Sequence, residues 1–217
     1  MIFDLSYMLQ ITPLLLKGAV VTLQATVLGT LLAAILGLGL AILNRSRFRL
    51  VRHVTTAVMM FVRNTPLLIQ LFFLFYVLPQ YGIALPAFVT GTIALGIHYS
   101  TYMAEVYRAG IAAVPRGQWE AAYALNMTRR QMWLRVVLPQ AIPPIIPALG
   151  NYTVSMLKET PLLATVGILE LLGMALFEAA RTYRYYEPLT LVGIIFLIFS
   201  LISAVLIRML EKRFATR

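Results

Sequence analysis

Long apolar runs separated by short clusters of arginine set the pattern of this chain. A helix needs about 20 apolar residues to cross the hydrocarbon core of a bilayer. Residues 18–43, "GAVVTLQATVLGTLLAAILGLGLAIL", form the first such run, and Arg45, Arg47, Arg49 and Arg52 follow it directly. A second span is predicted over 57–78, through "TPLLIQLFFLFYVLP", and "QYGIALP" turns the chain back into a third over 87–111. A fourth is predicted over 141–165 and a fifth over 189–207, with the basic segment 208–217 behind it. Residues 166–187 are mixed in character and predict short helices at the outer interface. Their tyrosines, Tyr183, Tyr185 and Tyr186, suit a membrane–water boundary.

The arginine clusters orient the spans. Basic residues are retained on the cytoplasmic side. The clusters at 45–52, at 108–135 and at 208–217 then all face the cytoplasm, with the N-terminus outside and the C-terminus inside. Lys17, on the outer flank, is outweighed by the four arginines that follow. Two spans also carry small residues at every fourth position: Ala25, Gly29, Ala33, Gly37 and Ala41, then Thr92, Gly96, Ser100 and Ala104. Such ridges let helix backbones approach closely in lipid. They predict a packed bundle.

One stretch breaks the apolar pattern. Residues 117–140, "GQWEAAYALNMTRRQMWLRVVLPQ", carry a glutamate, three arginines and two tryptophans. "QWEAAYAL" is made of good helix formers. Asn126 follows, and asparagine tolerates the left-handed conformation that ends a helix. Thr128 and Gln131 have the spacing of a capping box for a second helix, and Pro139 is expected to close that helix. The geometry expected is helix, corner, helix: either a shaped cytoplasmic knob for a soluble partner, or an amphipathic helix lying on the membrane.

Composition narrows the classes. Of the 217 residues 60% are hydrophobic and 12% charged, against about 25% charged in soluble domains. The chain has no cysteine and two histidines. Disulfides, thiol nucleophiles and cysteine zinc sites are excluded, and no metal site is expected. His53 is expected at the interface and His98 packed. The formal charge of +10 lies in clusters between spans, which points to membrane topology and not to nucleic acid. The N-terminus lacks a basic region and a cleavage site, so the first span is expected to stay as an anchor. The phosphate-cradling motif G-x-x-x-x-G-K-[ST] is absent from the sequence, so ATP is not bound that way here.

The knob's spacing resembles the EAA loop of ATP-binding-cassette (ABC) importer permeases. That loop reads E-A-A, three residues, glycine, nine residues, an apolar β-branched residue, one residue, L-P. Here these positions are Glu120, Ala121 and Ala122, then Asn126 in place of glycine, then Val136, Leu138 and Pro139. "VRNTPLLIQLFFLFYVLP", "AEVYRAGIAAVPRGQWEAA", "LPQAIPPIIPALGN" and "LKETPLLATVGILELL" resemble the polar amino acid importers, with Asn64 where a glycine is common. Within them, "RNTPLL", "GIHYSTYMAEVYRAG" and "QAIPPIIPALGNY" look most like permease subunits for ectoine and hydroxyectoine.

The resemblance implies an all-α integral membrane protein with five transmembrane helices in the type I ABC importer (MetI-like) permease fold. It implies an external segment 1–17, a permease domain 18–210 containing a coupling loop 113–140, and a basic cytoplasmic tail 211–217. The expected partners are a cytoplasmic ABC ATPase dimer, a second permease subunit and an external solute-binding protein, in the bacterial inner membrane. No cofactor is expected in this chain, and ATP and magnesium would belong to the ATPase. Coupling would rest on Glu120, Ala121, Ala122, Asn126, Arg129, Arg130, Leu138 and Pro139, with Arg116 at the rim.

Polar groups inside spans are costly and usually functional. On that ground Thr65, Gln70, Tyr99, Tyr102, Asn151, Tyr152, Ser155, Lys158 and Glu159 are candidates to line a solute path. Lys158 and Glu159, before Thr160-Pro161, read either as a zwitterion site or as a structural ion pair. Glu105 is expected to pair with Arg108, three residues on. Arg63 is expected at the inner interface. A stand-alone secondary transporter or a membrane scaffold are the competing readings. The first has no use for the knob, and the second has no use for polar residues within spans.

Overall fold

The computed structural model describes residues 3–215, and within them the chain is helical, with no strand. The first helix, α1, runs over Leu5–Asn44. Asp4 caps it by accepting the Tyr7 N–H at 3.1 Å. Its 40 residues extend about 60 Å, roughly twice the hydrocarbon thickness. The run expected over 18–43 therefore starts earlier, because residues 5–17 continue the same helix. Ile11, Leu15, Gly18, Thr22, Ala25, Gly29, Ala33, Gly37 and Ala41 form one buried stripe. The small-residue ridge is thus a contact face. A Cβ on Gly37 would sit 2.8 Å from the Ser100 carbonyl oxygen, so only glycine allows this approach to the facing helix.

The span expected over 57–78 is not one helix. Helix α2 covers Arg49–Asn64, and the helical stretch Leu67–Tyr81 leaves it at 103°. The cause is local. Thr65 precedes a proline, which disfavours α geometry, and both Thr65 and Pro66 are extended. Helix α2 carries arginines on one side and exposed Leu50, Val54, Val58 and Phe61 on the other, the composition of a helix lying in the interface. Beyond the bend, α3 (Leu67–Phe72) passes into a π turn over Phe73–Val77 and a 3-10 turn over Leu78–Tyr81.

Helix α4, Ala87–Ala112, is the centre of the bundle. It buries Thr90, Thr92, His98, Tyr99, Ser100 and Thr101 against α1, α3 and the later helices. Its hydroxyls donate to its own carbonyls, as Thr92 does to Phe88 at 2.8 Å, which satisfies them without water. Helices α5 (Arg116–Ala124) and α6 (Arg129–Met132) follow, then a π turn over Trp133–Val137 and α7 over Leu138–Glu159. Pro139 does not stop this helix, contrary to expectation. The Leu138 N–H reaches back five residues to the Trp133 carbonyl, which widens the turn just where the proline ring would clash with the carbonyl of Arg135. Leu78-Pro79 repeats the device, with the Leu78 N–H bonded to the Phe73 carbonyl.

Helix α7 ends before Pro161, in a 3-10 turn over Thr160–Val166. Helix α8, Leu171–Thr182, fills the expected short-helix region. Helix α9, Tyr186–Ala215, extends the run expected over 189–207 at both ends and takes in most of the basic tail, of which Thr216 and Arg217 lie outside the described residues. Among the described residues, three helical stretches are long and apolar enough to cross a membrane: Leu5–Asn44, Arg129–Val166 and Tyr186–Phe214. Counted as one span, the bent pair would make a fourth. Helix α4 is too rich in Thr, Ser, His and Tyr to join them by composition, although its 26 residues cover about 39 Å.

Two polar assemblies pin the end of the bundle where α1 starts. Glu170 is fully buried, caps α8 through the Gly173 N–H at 2.8 Å and accepts from the Thr22 hydroxyl at 3.2 Å. Nearby, Glu178 accepts from Tyr7 at 2.9 Å and pairs with Arg181 at 2.9 Å. Arg184 bridges Asp4 and Glu187. The carboxylates thus neutralise Arg181 and Arg184 at this end. Among the described residues, the arginines with no ion pair, such as Arg45, Arg52 and Arg129, lie towards the opposite end.

Candidate functional site

Two assemblies of candidate side chains stand out: a knob at the basic end and an aromatic–carboxylate cluster inside the bundle.

The knob is α5, a corner and α6. Asn126 has φ +52°, so it takes the left-handed corner that a glycine would take. The Met127 N–H returns to the Ala122 carbonyl at 3.1 Å across that corner. The Thr128 hydroxyl accepts the Gln131 N–H, and the Gln131 side chain accepts the Thr128 N–H at 2.9 Å, so the capping box is complete. Trp119 and Trp133 lock the two helices edge to face at 5.5 Å. Ala122, Met132, Val137 and Ala141 form a small core beneath. Glu120, Ala121, Arg129, Arg130 and Pro139 are exposed, and Leu138 is half-buried. Ala122 is packed inward and is not presented at the surface. Tyr123 and Leu125, 65% and 75% exposed, crown the knob instead. Sequence reasoning passed over both, although each sits beside the corner in a polar segment where an apolar residue has no lipid to face.

The inner cluster joins α3, α4 and α7. The Gln70 amide donates to the Val62 carbonyl at 2.7 Å and to the Thr65 carbonyl at 3.0 Å. It therefore satisfies carbonyls left open by the bend at the end of α2. The other side of Gln70, its Oε1, lies 3.3 Å from His98 Nδ1. The His98 ring contacts Tyr99 and Tyr102, at centroid distances of 5.6 and 5.4 Å. Tyr152, on α7, meets Tyr99 at 6.4 Å and Tyr102 at 5.5 Å. The Tyr99 hydroxyl faces the Glu159 carboxylate. Glu159 Oε2 is buried with no hydrogen-bond partner among the described residues. An orphaned carboxylate oxygen beside Tyr99, whose ring meets those of Tyr102 and Tyr152, can receive a cation, by charge and by ring quadrupole.

The predicted path residues thus divide. Thr65, Gln70, Tyr99, Tyr102, Tyr152 and Glu159 come together, and His98, expected only to pack, joins them. Asn151, Ser155 and Lys158 lie apart, exposed on one face of α7 at spacings of four and three. The ion pair considered between Lys158 and Glu159 is not formed. Adjacent residues on a helix point about 100° apart, and Lys158 turns outward while Glu159 turns in. Glu105 pairs with Arg108 at 2.9 Å as expected, and also with Arg63 at 3.4 Å.

Known proteins match this architecture along nearly its whole length. The family described as "Binding-protein-dependent transport system inner membrane component" matches residues 25–216. The "Probable amino-acid ABC transporter permease protein y4tG" of Sinorhizobium fredii is 46% identical over 214 residues, covering 99% of this chain and 93% of that one. The "Probable amino-acid ABC transporter permease protein PatM" of Vibrio harveyi is 37% identical, covering 89% of this chain and 88% of that one. A solved structure described as an amino acid ABC transporter with histidines superposes with a TM-score of 0.93 at 38% identity, covering 98% of this chain and 100% of that one. The all-helical MetI-like fold follows from these matches, as does placement in the inner membrane as a multi-pass protein. The chain belongs to the family of binding-protein-dependent transport system inner membrane components.

Proposed function

We propose that this chain is the permease subunit of an ATP-driven importer for a polar amino acid or an ectoine-like compatible solute. In this reading α1, the stretch 67–81, α4, α7 and α9 cross the membrane. The N-terminus, with residues 1–17, is outside, and the tail 211–217 is inside. Residues 18–210 form the permease unit and 113–140 its coupling loop. The concentration of unneutralised arginines at one end supports this orientation.

The observation that carries the reading is the capped, exposed knob at that basic end. A partner ATPase dimer, which holds ATP and magnesium, receives it in a groove. Glu120 makes the polar contact there, Tyr123 and Leu125 fill apolar positions, and Arg129 and Arg130 form the rim. Closure of the ATPase pulls the knob, and the continuous helix from Arg129 to Glu159 carries the movement inward. Two permease subunits and an external solute-binding protein complete the importer.

The solute's ammonium or amidinium group is received by Glu159 Oε2 among Tyr99, Tyr102 and Tyr152. Asn151, Ser155 and Lys158 line the way past it, and Lys158 meets the solute's carboxylate. The names of the relatives support an amino acid. A cyclic zwitterion such as ectoine fits the same charges.

Two measurements test this. Glu120→Lys, co-expressed with the ATPase, is expected to abolish complex formation and solute-stimulated ATP hydrolysis; retention of both overturns the docking. A binding assay of the partner solute-binding protein against polar amino acids and ectoine decides the solute class. Binding of neither kind overturns the proposed class.

A further inference from the structure

Arg45 closes α1 and stands between two clefts at the basic end of the bundle. One, about 620 Å³, is walled by Leu38, Ile42, Leu43, Ile111 and Leu138, with Arg45 and Arg129 beside Trp133. The other, about 410 Å³, is lined by Asn44, Arg45, Arg52, Glu105 and Arg108. The Arg45 guanidinium lies 5.7 Å over the Trp133 ring, which positions it without occupying its N–H donors. Among the described residues, ion pairs engage Arg63, Arg108, Arg181 and Arg184. Arg45, Arg52 and Arg129 have no carboxylate. The walls of the larger cleft open outward, with Ile42 64% exposed.

An apolar trough with a basic mouth matches the two halves of an amphiphile with an anionic head. A free phosphate would use the arginines and leave the trough empty. An acidic peptide would leave it empty too. We propose that this is a site for an anionic phospholipid of the cytoplasmic leaflet. Its phosphate is held by Arg45 with Arg52 adjacent, and the start of an acyl chain lies against Leu38, Ile42 and Leu138. Basic pockets between membrane helices on the cytoplasmic side hold anionic headgroups by this chemistry. The assignment rests on the orientation proposed above. Its structural consequence is specific. The lipid bridges the end of α1 to the helix that leaves the knob, two elements otherwise joined here by the stacking of Arg45 on Trp133.

The test is lipid retention by the purified permease complex, read by native mass spectrometry. Phosphatidylglycerol and phosphatidylcholine are titrated separately, with inorganic phosphate as competitor. Phosphatidylglycerol is expected to be held preferentially, and Arg45→Gln to weaken it about fivefold, the loss of one basic contact near a charged headgroup. Ile42→Trp fills the trough while leaving the mouth intact, and is expected to weaken lipid retention as well. Arg208→Gln, on α9 and outside both clefts, is expected to retain the wild-type affinity and controls for general charge loss. Equal retention of the two lipids overturns the site, as does wild-type retention by Arg45→Gln. Full displacement by phosphate with no effect of Ile42→Trp would make it a phosphate site and overturn the lipid. The readout contains no transport or ATP hydrolysis, so its failure is separate from failure of the importer reading.

Discussion

At the scale of single residues, Asn126 and Glu159 carry the most. Asn126 holds a left-handed corner that most side chains resist by about 1–2 kcal/mol. Asn126→Gly is expected to leave thermal stability and ATPase co-purification unchanged, whereas Asn126→Val lowers both. Equal behaviour of the two variants in a melting and pull-down series would show that the corner is not set by this residue. Glu159 offers a buried oxygen with no hydrogen-bond partner among the described residues. Glu159→Gln keeps the shape and removes the charge. It is expected to reduce uptake at least about tenfold, equivalent to about 1.4 kcal/mol, with complex assembly intact. Uptake assays in vesicles that found no change would remove Glu159 from the path. The corner was readable in the sequence because its chemistry is local: a left-handed residue, then a cap three residues before a glutamine. The meeting of His98 with Gln70 was not readable, since it depends on the placement of two separate helices.

At the scale of elements, close approach and breakage decide the architecture. The α1–α4 contact depends on Gly37, whose hydrogen faces the Ser100 carbonyl. Gly37→Val would drive the helices apart, at a cost of about 1–3 kcal/mol for overpacking, measurable as a lower melting temperature of the purified complex. The ridge of small residues gave that contact away in advance, because a spacing of four repeats along one helix face. The elbow at Thr65-Pro66 was harder to see. Apolar runs flank the short Arg63-Asn64-Thr65-Pro66 break on both sides, and hydropathy registers length and not direction. The amphipathic side of α2 and the pre-proline threonine were both legible singly, yet the span length hid them. The error at Pro139 has the same root. Proline ends a helix where its ring clash and missing N–H go unrelieved, and at Pro139 the π turn relieves the clash.

At the scale of the whole molecule, charge is sorted by end. The acidic residues near the start of α1 engage Arg181 and Arg184, and the hydrogen bond and charge of Arg181 hold the Glu178 carboxyl below its ordinary range. A depressed carboxyl contributes stability above its unfolded value, and this is lost as pH falls through the folded one. Acidification below the ordinary carboxylate range is therefore expected to loosen the N-terminus of α1 from α8. Amide protection factors at residues 5–9, corrected for the intrinsic exchange rate at each pH, should fall there, and Glu178→Gln should flatten that dependence; protection independent of pH would refute the pin. The proposed path residues of α7 and the second helix of the knob, by contrast, share one helical rod. The π turn Trp133–Val137 adds a residue to that rod, so it sets the phase of everything beyond it. Removing one residue there would screw the downstream rod by about 100° and draw it back about 1.5 Å. Asn151, Ser155 and Lys158 would then swing away from their present face while the knob stayed where it is. If knob and path act as proposed, they are geared at a fixed angle, and a chimaera that borrows the knob from a related permease is expected to transport only if it keeps this tooth.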